Sequence, residues 1–343
     1  MSDGGEEIKT NSRQEPAADP FPGGHLARST CHRFTSLTRQ TMADADTARV
    51  NKAYFNKLAA EYDARYEKTT LQLEREIRKR KDFIGADWVV DDDEDDDEED
   101  DDDGEDGGED ETAQPPPPAT DSKRVRLLDY ACGTGLISRA LAQFTTHCVG
   151  IDISENMVAA YNARAENQGL SADEMRAYQG DLTDPSDPDP PAFSAASDPN
   201  GRFRDFDVAG VGLGFHHFAD PELSARRIVE RLRPGGVLVI LDFLPHGTMD
   251  AALPAANTVV HHGFSEERIR AVFEQAGAGK DFALEELGSG VVFGGHGHSH
   301  ADGHDHGHKA GDGHGHGHGH GHGHGEGKGG MKRRVFLARG VKV

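Results

Sequence analysis

The sequence is poor in several things, and each shortage narrows its class. It has three cysteines in 343 residues, Cys31, Cys132 and Cys148, an odd number with no repeating spacing. That argues against a disulfide-stapled secreted scaffold and for reduced thiols inside a cell. A cytoplasmic protein is the expectation, with a mitochondrial one as the alternative. No apolar run approaches the ~20 residues of a membrane span, and no secretory apolar stretch follows Met1. Bases are scarce: 37 Lys and Arg face 61 Asp and Glu, a formal net charge of -24. Nucleic-acid binding needs a clustered basic face; none is visible, so no nucleic-acid partner is expected. The excess of acid is local. Asp91 to Glu111 holds 18 of the acidic residues, which leaves 43 against 37 bases elsewhere, an ordinary mildly acidic globule.

Three stretches lack the composition to pack. Residues 1–45 are rich in Gly, Pro, Ser and charge and read as a disordered tail. Within them Gly23 to Thr41 has Arg28, Arg33 and Arg39 and no acid, as a transit peptide does, but Glu6 and Glu7 stand upstream. A tail is the simpler reading, and Met42 is an alternative start. Residues 91–120, acidic and then Pro-rich, read as a solvated insertion because like charges repel and polyproline stays extended. Residues 294–330 form a His/Gly tract, with 12 histidines between His296 and His324. Imidazoles on flexible glycine spacers bind divalent metals adventitiously. No fixed geometry follows, so no metal ligands are assigned. What remains, roughly 240 residues, suffices for one α/β domain with its own core.

From 46 to 90 the pattern is helical. Val50, Tyr54, Leu58, Tyr62 and Tyr66 recur mostly four apart, and Thr70 to Lys81 is charged and helix-prone. Two helices packing on a core are expected. From 121 to 343 strand and helix signals alternate. Strands are expected at Arg126–Tyr130, Cys148–Ile153, Met175–Gln179, Phe206–Val211 and Gly236–Phe243. Helices are expected at Gly135–Phe144, Glu155–Gln168, Pro221–Leu232 and Ser265–Ala276. Such alternation means a parallel sheet with helices on both faces. Phe282–Phe293 and Arg333–Ala338 read as two further strands of an antiparallel hairpin, with the His/Gly tract as its loop.

The glycine-rich turn Gly133-Thr134-Gly135 follows the first strand of that series. There, backbone N–H groups can approach a ligand at the positive end of a helix. Asp152, 17 residues after Gly135, ends the next strand, where a carboxylate can accept both hydroxyls of a ribose. Gly180-Asp181-Leu182 closes the third and can take an adenine amino group and ring edge. A dinucleotide dehydrogenase would need a third glycine in the turn; Ala131-Cys132-Gly133-Thr134-Gly135-Leu136-Ile137-Ser138 lacks it.

Together these pieces resemble class I S-adenosylmethionine-dependent methyltransferases, in particular the small-molecule branch with the ubiquinone-biosynthesis enzymes. The resemblance rests on Leu128-Asp129-Tyr130-Ala131-Cys132-Gly133-Thr134-Gly135, Val149-Gly150-Ile151-Asp152, Gly180-Asp181-Leu182 and Leu232-Arg233-Pro234-Gly235-Gly236. It implies a Rossmann-like seven-stranded mixed sheet with its last strand antiparallel, and S-adenosyl-L-methionine as cofactor. By it Asp129 and Gly133 to Gly135 serve the methionine end, Asp152 the ribose, and Asp181 and Leu182 the adenine, with Ala131 and Ile153 as further cofactor-binding residues. Ala131 replaces the family's first glycine, a minor departure if its φ is negative.

The acceptor side is less legible, because such folds share the cofactor half and vary the rest. His216 and His217 follow the fourth strand of the series, where the family borders the methyl group, and either can orient or deprotonate a hydroxyl. One of the pair is expected to be structural. Asp242, at the carboxyl end of a strand, reads equally as a ligand-facing or a structural acid. His261-His262 before the next helix, and Tyr54, Phe55 and Tyr62 on the N-terminal helix, are candidates to close the pocket. A small-molecule acceptor, methylated on oxygen or carbon, is the expected partner. A metal-binding protein on the same scaffold, or a protein methyltransferase, is the alternative.

Overall fold

The computed structural model describes residues 1, 26–89, 123–184, 187, 190–288, 290–293 and 331–343, and for 26–45, 191 and 331 the backbone alone. The acidic and proline-rich insertion, the His/Gly tract and most of the N-terminal tail therefore lie outside the described residues. The chain divides into two units at Met42. The first holds the opening of helix α1; everything that follows concerns the second, Ala43–Val343.

Helix α1 (Leu26–Arg78) is a single element of 53 residues, followed after two turn residues by the one-turn α2 (Lys81–Ile84). Two changes to the expected boundaries follow. Helix begins 20 residues earlier than 46, and the two expected helices are one. The cause is visible in the sequence: from Leu26 to Ile84 there is no glycine or proline to interrupt the hydrogen-bond ladder. Gly85, with φ 67°, ends α2 in the left-handed conformation.

The sheet is seven-stranded with order β3-β2-β1-β4-β5-β9-β6. Its parallel part is β1 (Arg126–Tyr130), β2 (His147–Asp152), β3 (Met175–Gln179), β4 (Phe206–Gly212) and β5 (Leu232–Phe243). Then β9 (Val335–Val341) inserts antiparallel between β5 and β6 (Lys280–Glu286). This is the expected mixed sheet, with one refinement. The run expected as Phe282–Phe293 breaks after Glu286 and resumes as β7 (Val291–Phe293), which pairs with β8 (Met331–Arg333) as a separate ribbon. Gly288 and Gly290, at φ 52° and 102°, turn the chain out of the sheet.

Side chains alternate across the strands, so each face has a core. Leu127, Val208, Val239 and Leu337 meet α1, α3 (Leu136–Leu141) and α4 (Glu155–Asn167) through Ile77, Ile137 and Tyr161. Leu128, Ala209, Ile240 and Phe336 meet α5 (Pro221–Glu230) and α6 (Glu266–Ala276) through Ile228 and Phe273. Strands buried on both faces read as near-continuous apolar runs, which is why they were easy to place. Side chains cap the helices that carry loops to the site: Ser154 accepts from Met157 N–H at 3.2 Å and Asp220 from Leu223 N–H at 2.8 Å. The strand order reverses between β1 and β4, which opens a crevice at the carboxyl ends of those strands.

Candidate active site

The crevice is a cavity of about 310 Å³. Its floor is the turn after β1. Three residues there are left-handed: Ala131 at φ 53°, Gly133 at 51° and Gly135 at 96°. The first of these departs from expectation, since Ala131 was to be tolerated on a negative φ. An L-residue in that region costs about 1–2 kcal/mol, and the neighbouring loop accommodates it. A Cβ on Gly214 would lie 3.0 Å from the Ala131 methyl, so glycine at 214 leaves that methyl its room. The turn is held by Gly135 N–H to Cys132 C=O at 2.8 Å and by Cys132 N–H to Ile151 C=O at 3.2 Å.

Asp152 organises the second wall. One carboxylate oxygen accepts Gly133 N–H and the other Ser154 N–H, both at 2.8 Å. It is 8% exposed and lines the cavity. Burial pushes its carboxyl up to about 6, against the pull of those two N–H groups. Asp181 lines the third wall. Its Oδ1 accepts Tyr130 O–H at 2.9 Å and both the N–H and O–H of Thr183, while Tyr130 Oη in turn accepts Leu182 N–H at 3.1 Å.

Three residues assigned to the cofactor stand one layer behind this surface: Asp129, Gly135 and Leu182 do not line the cavity. Asp129 is 1% exposed and accepts Ser138 N–H and O–H, each at 2.9 Å; Ser138 Oγ accepts Tyr161 O–H at 2.8 Å. Burial raises the Asp129 carboxyl to about 7. Asp129 thus fixes the start of α3 and shapes the turn from behind. Gly135 gives room to the Tyr161 ring, which an added Cβ would approach to 2.9 Å. Ala131, Gly133, Asp152, Ile153, Asp181, His216 and His217 all line the cavity.

Helix α1 roofs it. Tyr54, Phe55 and Tyr62 line the cavity, as do Leu58 and Tyr66. Polar ties that sequence reasoning did not find hold the roof down. Thr134 O–H donates to Asp63 at 2.7 Å, and Asp63 also pairs with Arg164. Ser154 O–H donates to the Asn56 side-chain carbonyl at 2.5 Å. Asn51 Nδ2 donates to the His217 carbonyl at 3.1 Å. Its Oδ1 is buried without a hydrogen-bond partner among the described residues, although Asn51 lines the cavity. These residues are scattered in a charged helix, and no spacing rule marks them.

The other end of the cavity is built on the pair after β4. His216 Nδ1 lies 2.9 Å and 3.1 Å from the two carboxylate oxygens of Asp242, and His216 N–H donates to the same group at 3.0 Å. Asp242 is fully buried and also accepts Phe243 N–H at 2.6 Å. The carboxylate makes Nδ1 the protonated nitrogen, which leaves Nε2 as the basic one. His217 is different. Its Nδ1 donates to the Thr258 carbonyl at 2.7 Å, and burial, with His216 stacked at 4.0 Å, lowers it to about 3, so it is neutral. The two histidines thus differ in their partners: His216 faces the Asp242 carboxylate and His217 a backbone carbonyl. His261 and His262 do not line the cavity; His261 Nε2 donates to the Phe218 carbonyl at 3.0 Å and ties down the loop.

A parallel sheet with its binding crevice at the strand switch, closed by an antiparallel β9 and floored by a glycine-rich turn with an acid ending β2, defines a nucleoside-binding α/β class. Residues 128–238 match the family described as Methyltransferase domain. The chain is 30% identical over 156 residues to the uncharacterized methyltransferase C1347.09 of Schizosaccharomyces pombe, covering 44% of this chain and 52% of that protein. It is 33% identical over 122 residues to the demethylmenaquinone methyltransferase of Thermus thermophilus, covering 35% and 48%. The chain thus spans about half the length of these curated relatives. The crystal structure of YcgJ from Bacillus subtilis aligns with 64% of this chain and 92% of its own at 16% identity and a TM-score of 0.41. The matched segment contains the cradle and His216; α1, Asp242 and Arg333 lie outside it. Among the described residues no group of three or more His, Cys, Asp and Glu is arranged to hold a metal, and no helix is long and apolar enough to cross a membrane.

Proposed function

We propose that this protein methylates a hydroxyl of a small-molecule acceptor, with S-adenosylmethionine as methyl donor and His216 as the base. The cradle fits the donor. Gly133 has nothing within 4 Å of where a Cβ would stand, so the floor is open to a ligand's close approach. A carboxylate has about four lone-pair sites; Asp152 uses two on backbone N–H groups and keeps others for a ribose diol. Asp181 and Ile153 line the adjoining walls for the base and sugar. When bound, the donor supplies an electrophilic methyl group on a sulfonium.

The observation that carries the choice of a hydroxyl is the His216–Asp242 pair. Asp242 holds the imidazole in one tautomer and stabilises the positive charge that forms as His216 takes the acceptor proton. Asn51 Oδ1, an acceptor without a partner among the described residues, suits a second donor on the same molecule. Relatives named for demethylmenaquinone methylation and for ubiquinone-biosynthesis O-methylation support a small ring acceptor. The metal-binding alternative rests on the His/Gly tract, outside the described residues.

The test uses labelled S-adenosylmethionine with catechol as acceptor, comparing the native chain with Asp242→Asn. An asparagine there turns Nδ2 toward Nδ1 and favours the wrong tautomer. General-base catalysis contributes roughly 10²–10⁴-fold, so a rate loss on the order of 10² or more is expected at unchanged affinity for S-adenosylhomocysteine. A loss under about threefold would leave the pair merely structural.

A further inference from the structure

Among the described residues lining the cavity, the acids are Asp152, Asp181, Asp184 and Asp220, and the one permanent cation is Arg333. Asp152 and Asp181 follow β2 and β3, on one side of the strand switch. Arg333 ends β8, two residues before Val335, whose partner across the sheet is Phe243 of β5. It therefore lies on the other side, beyond His216. A chain of ring contacts spans the gap: Phe243 is 5.0 Å from His216, 5.6 Å from His246 and 5.2 Å from Phe293. Phe293 and Arg333 belong to the same two-stranded ribbon.

Arg333 is half-buried, and no carboxylate among the described residues pairs with it, whereas its neighbour Arg334 is paired with Glu286. Phe293 of the same ribbon, and Phe243 in ring contact with it, line the wall there. His246 there is also kept neutral, by burial first and by the nearness of Arg333 among other causes. A guanidinium on a cavity wall with no carboxylate partner among the described residues suits an anionic ligand. The donor carries a net positive charge, which Asp152 and Asp181 favour at their end and Arg333 disfavours at its own.

Resting on the methyltransferase reading, we propose that the methyl acceptor is an anion, a ring hydroxy acid whose carboxylate pairs with Arg333 while its hydroxyl meets His216. The turn after β4 and strand β9 are two strand spacings apart, about 10 Å. A six-membered ring with a carboxylate and the reach of an arginine side chain cover that distance together. Arg333 binds and selects; it takes no part in the proton transfer.

The probes are 3,4-dihydroxybenzoate and its neutral counterpart catechol, titrated by calorimetry into the full chain saturated with S-adenosylhomocysteine. The acid should bind at least tenfold tighter than catechol. Arg333→Gln should erase that ratio and leave catechol binding and S-adenosylhomocysteine affinity unchanged, and Arg333→Lys should keep part of it. Equal affinity for the two probes, no measurable binding of the acid, or a ratio that survives Arg333→Gln overturns the proposal. The comparison of probes on the native chain needs no variant to fold. Failure of S-adenosylhomocysteine to bind sinks the methyltransferase reading instead, and is seen before either probe is added.

Discussion

Cofactor affinity should depend on pH through Asp152, and in the opposite sense to stability. The folded carboxyl titrates at about 6 rather than at its usual 3.8, because burial outweighs the N–H groups of Gly133 and Ser154. Only the ionised form has lone pairs for both backbone donors and a ribose diol together. Affinity for S-adenosylhomocysteine should therefore be flat above pH 7 and fall about tenfold per unit below 6. At pH 5 the loss is about tenfold, or about 1.4 kcal/mol. Stability of the ligand-free protein runs the other way. A carboxyl with a raised folded pKa keeps its proton in the native state at pH values where the unfolded chain has released it. Its contribution is complete below about 4 and lost as pH rises through about 6. Asp129, raised to about 7, has the same sign over a wider window. Calorimetric titrations from pH 5 to 8, with thermal scans of the free protein, separate the two effects. Asp152→Asn should flatten the affinity profile, at an affinity about tenfold or more weaker at pH 7. Asp129→Asn, behind the wall, should leave the affinity slope intact and flatten part of the stability slope. A dissociation constant unchanged from pH 5 to 8, or a slope that survives Asp152→Asn, would refute the reasoning.

Two substitutions in the turn should differ in outcome although both exchange glycine and alanine. Gly135→Ala puts a methyl group 2.9 Å from the Tyr161 ring at φ 96°, and moving that ring disturbs the Ser138 link to Asp129; a loss of about 2 kcal/mol or more is expected in denaturant melts. Ala131→Gly relieves a left-handed alanine at φ 53° but frees the unfolded chain, so the net change should stay within about 1 kcal/mol with cofactor affinity unaltered. A large loss in the second variant would mean that the Ala131 methyl supports the neighbouring loop through more than its fit beside Gly214.

The parallel strands were legible because burial on both faces writes them as apolar runs between turn residues; β1 and β3 fall where the pattern put them. The cradle was legible because its residues are close in sequence and their spacing follows from strand and turn lengths. The break between β6 and β7 depends on Gly288 and Gly290 turning positive, which an apolar run with glycines does not declare. The apolar stripe of α1 fades after Tyr66, which suggests a break, but the absence of glycine and proline is the stronger signal and the helix runs on to Arg78. Asp129 and Gly135, which the motif gives to the ligand, stand behind the cavity wall against Ser138 and Tyr161, contacts that exist only after α3 and α4 pack.

The acceptor end shows why function resists sequence reading more than fold does. His216 comes from the end of β4, Asp242 from β5, Arg333 from β8 and Asn51 from α1, separated by up to 282 positions and joined by no periodicity. What brings them together is the antiparallel insertion of β9 beside β5. It carries β8 to the mouth of the crevice, next to the strand that holds the His216 partner. The methyltransferase segment at 128–238 stops short of that insertion. The cradle is thus encoded in one contiguous stretch, which also holds His216, whereas Asn51, Asp242 and Arg333 come from the parts of the chain on either side of it. Changes at Arg333 in β8 should therefore alter what binds beside His216 while leaving the cradle intact, and that residue is where the separation is most directly measured.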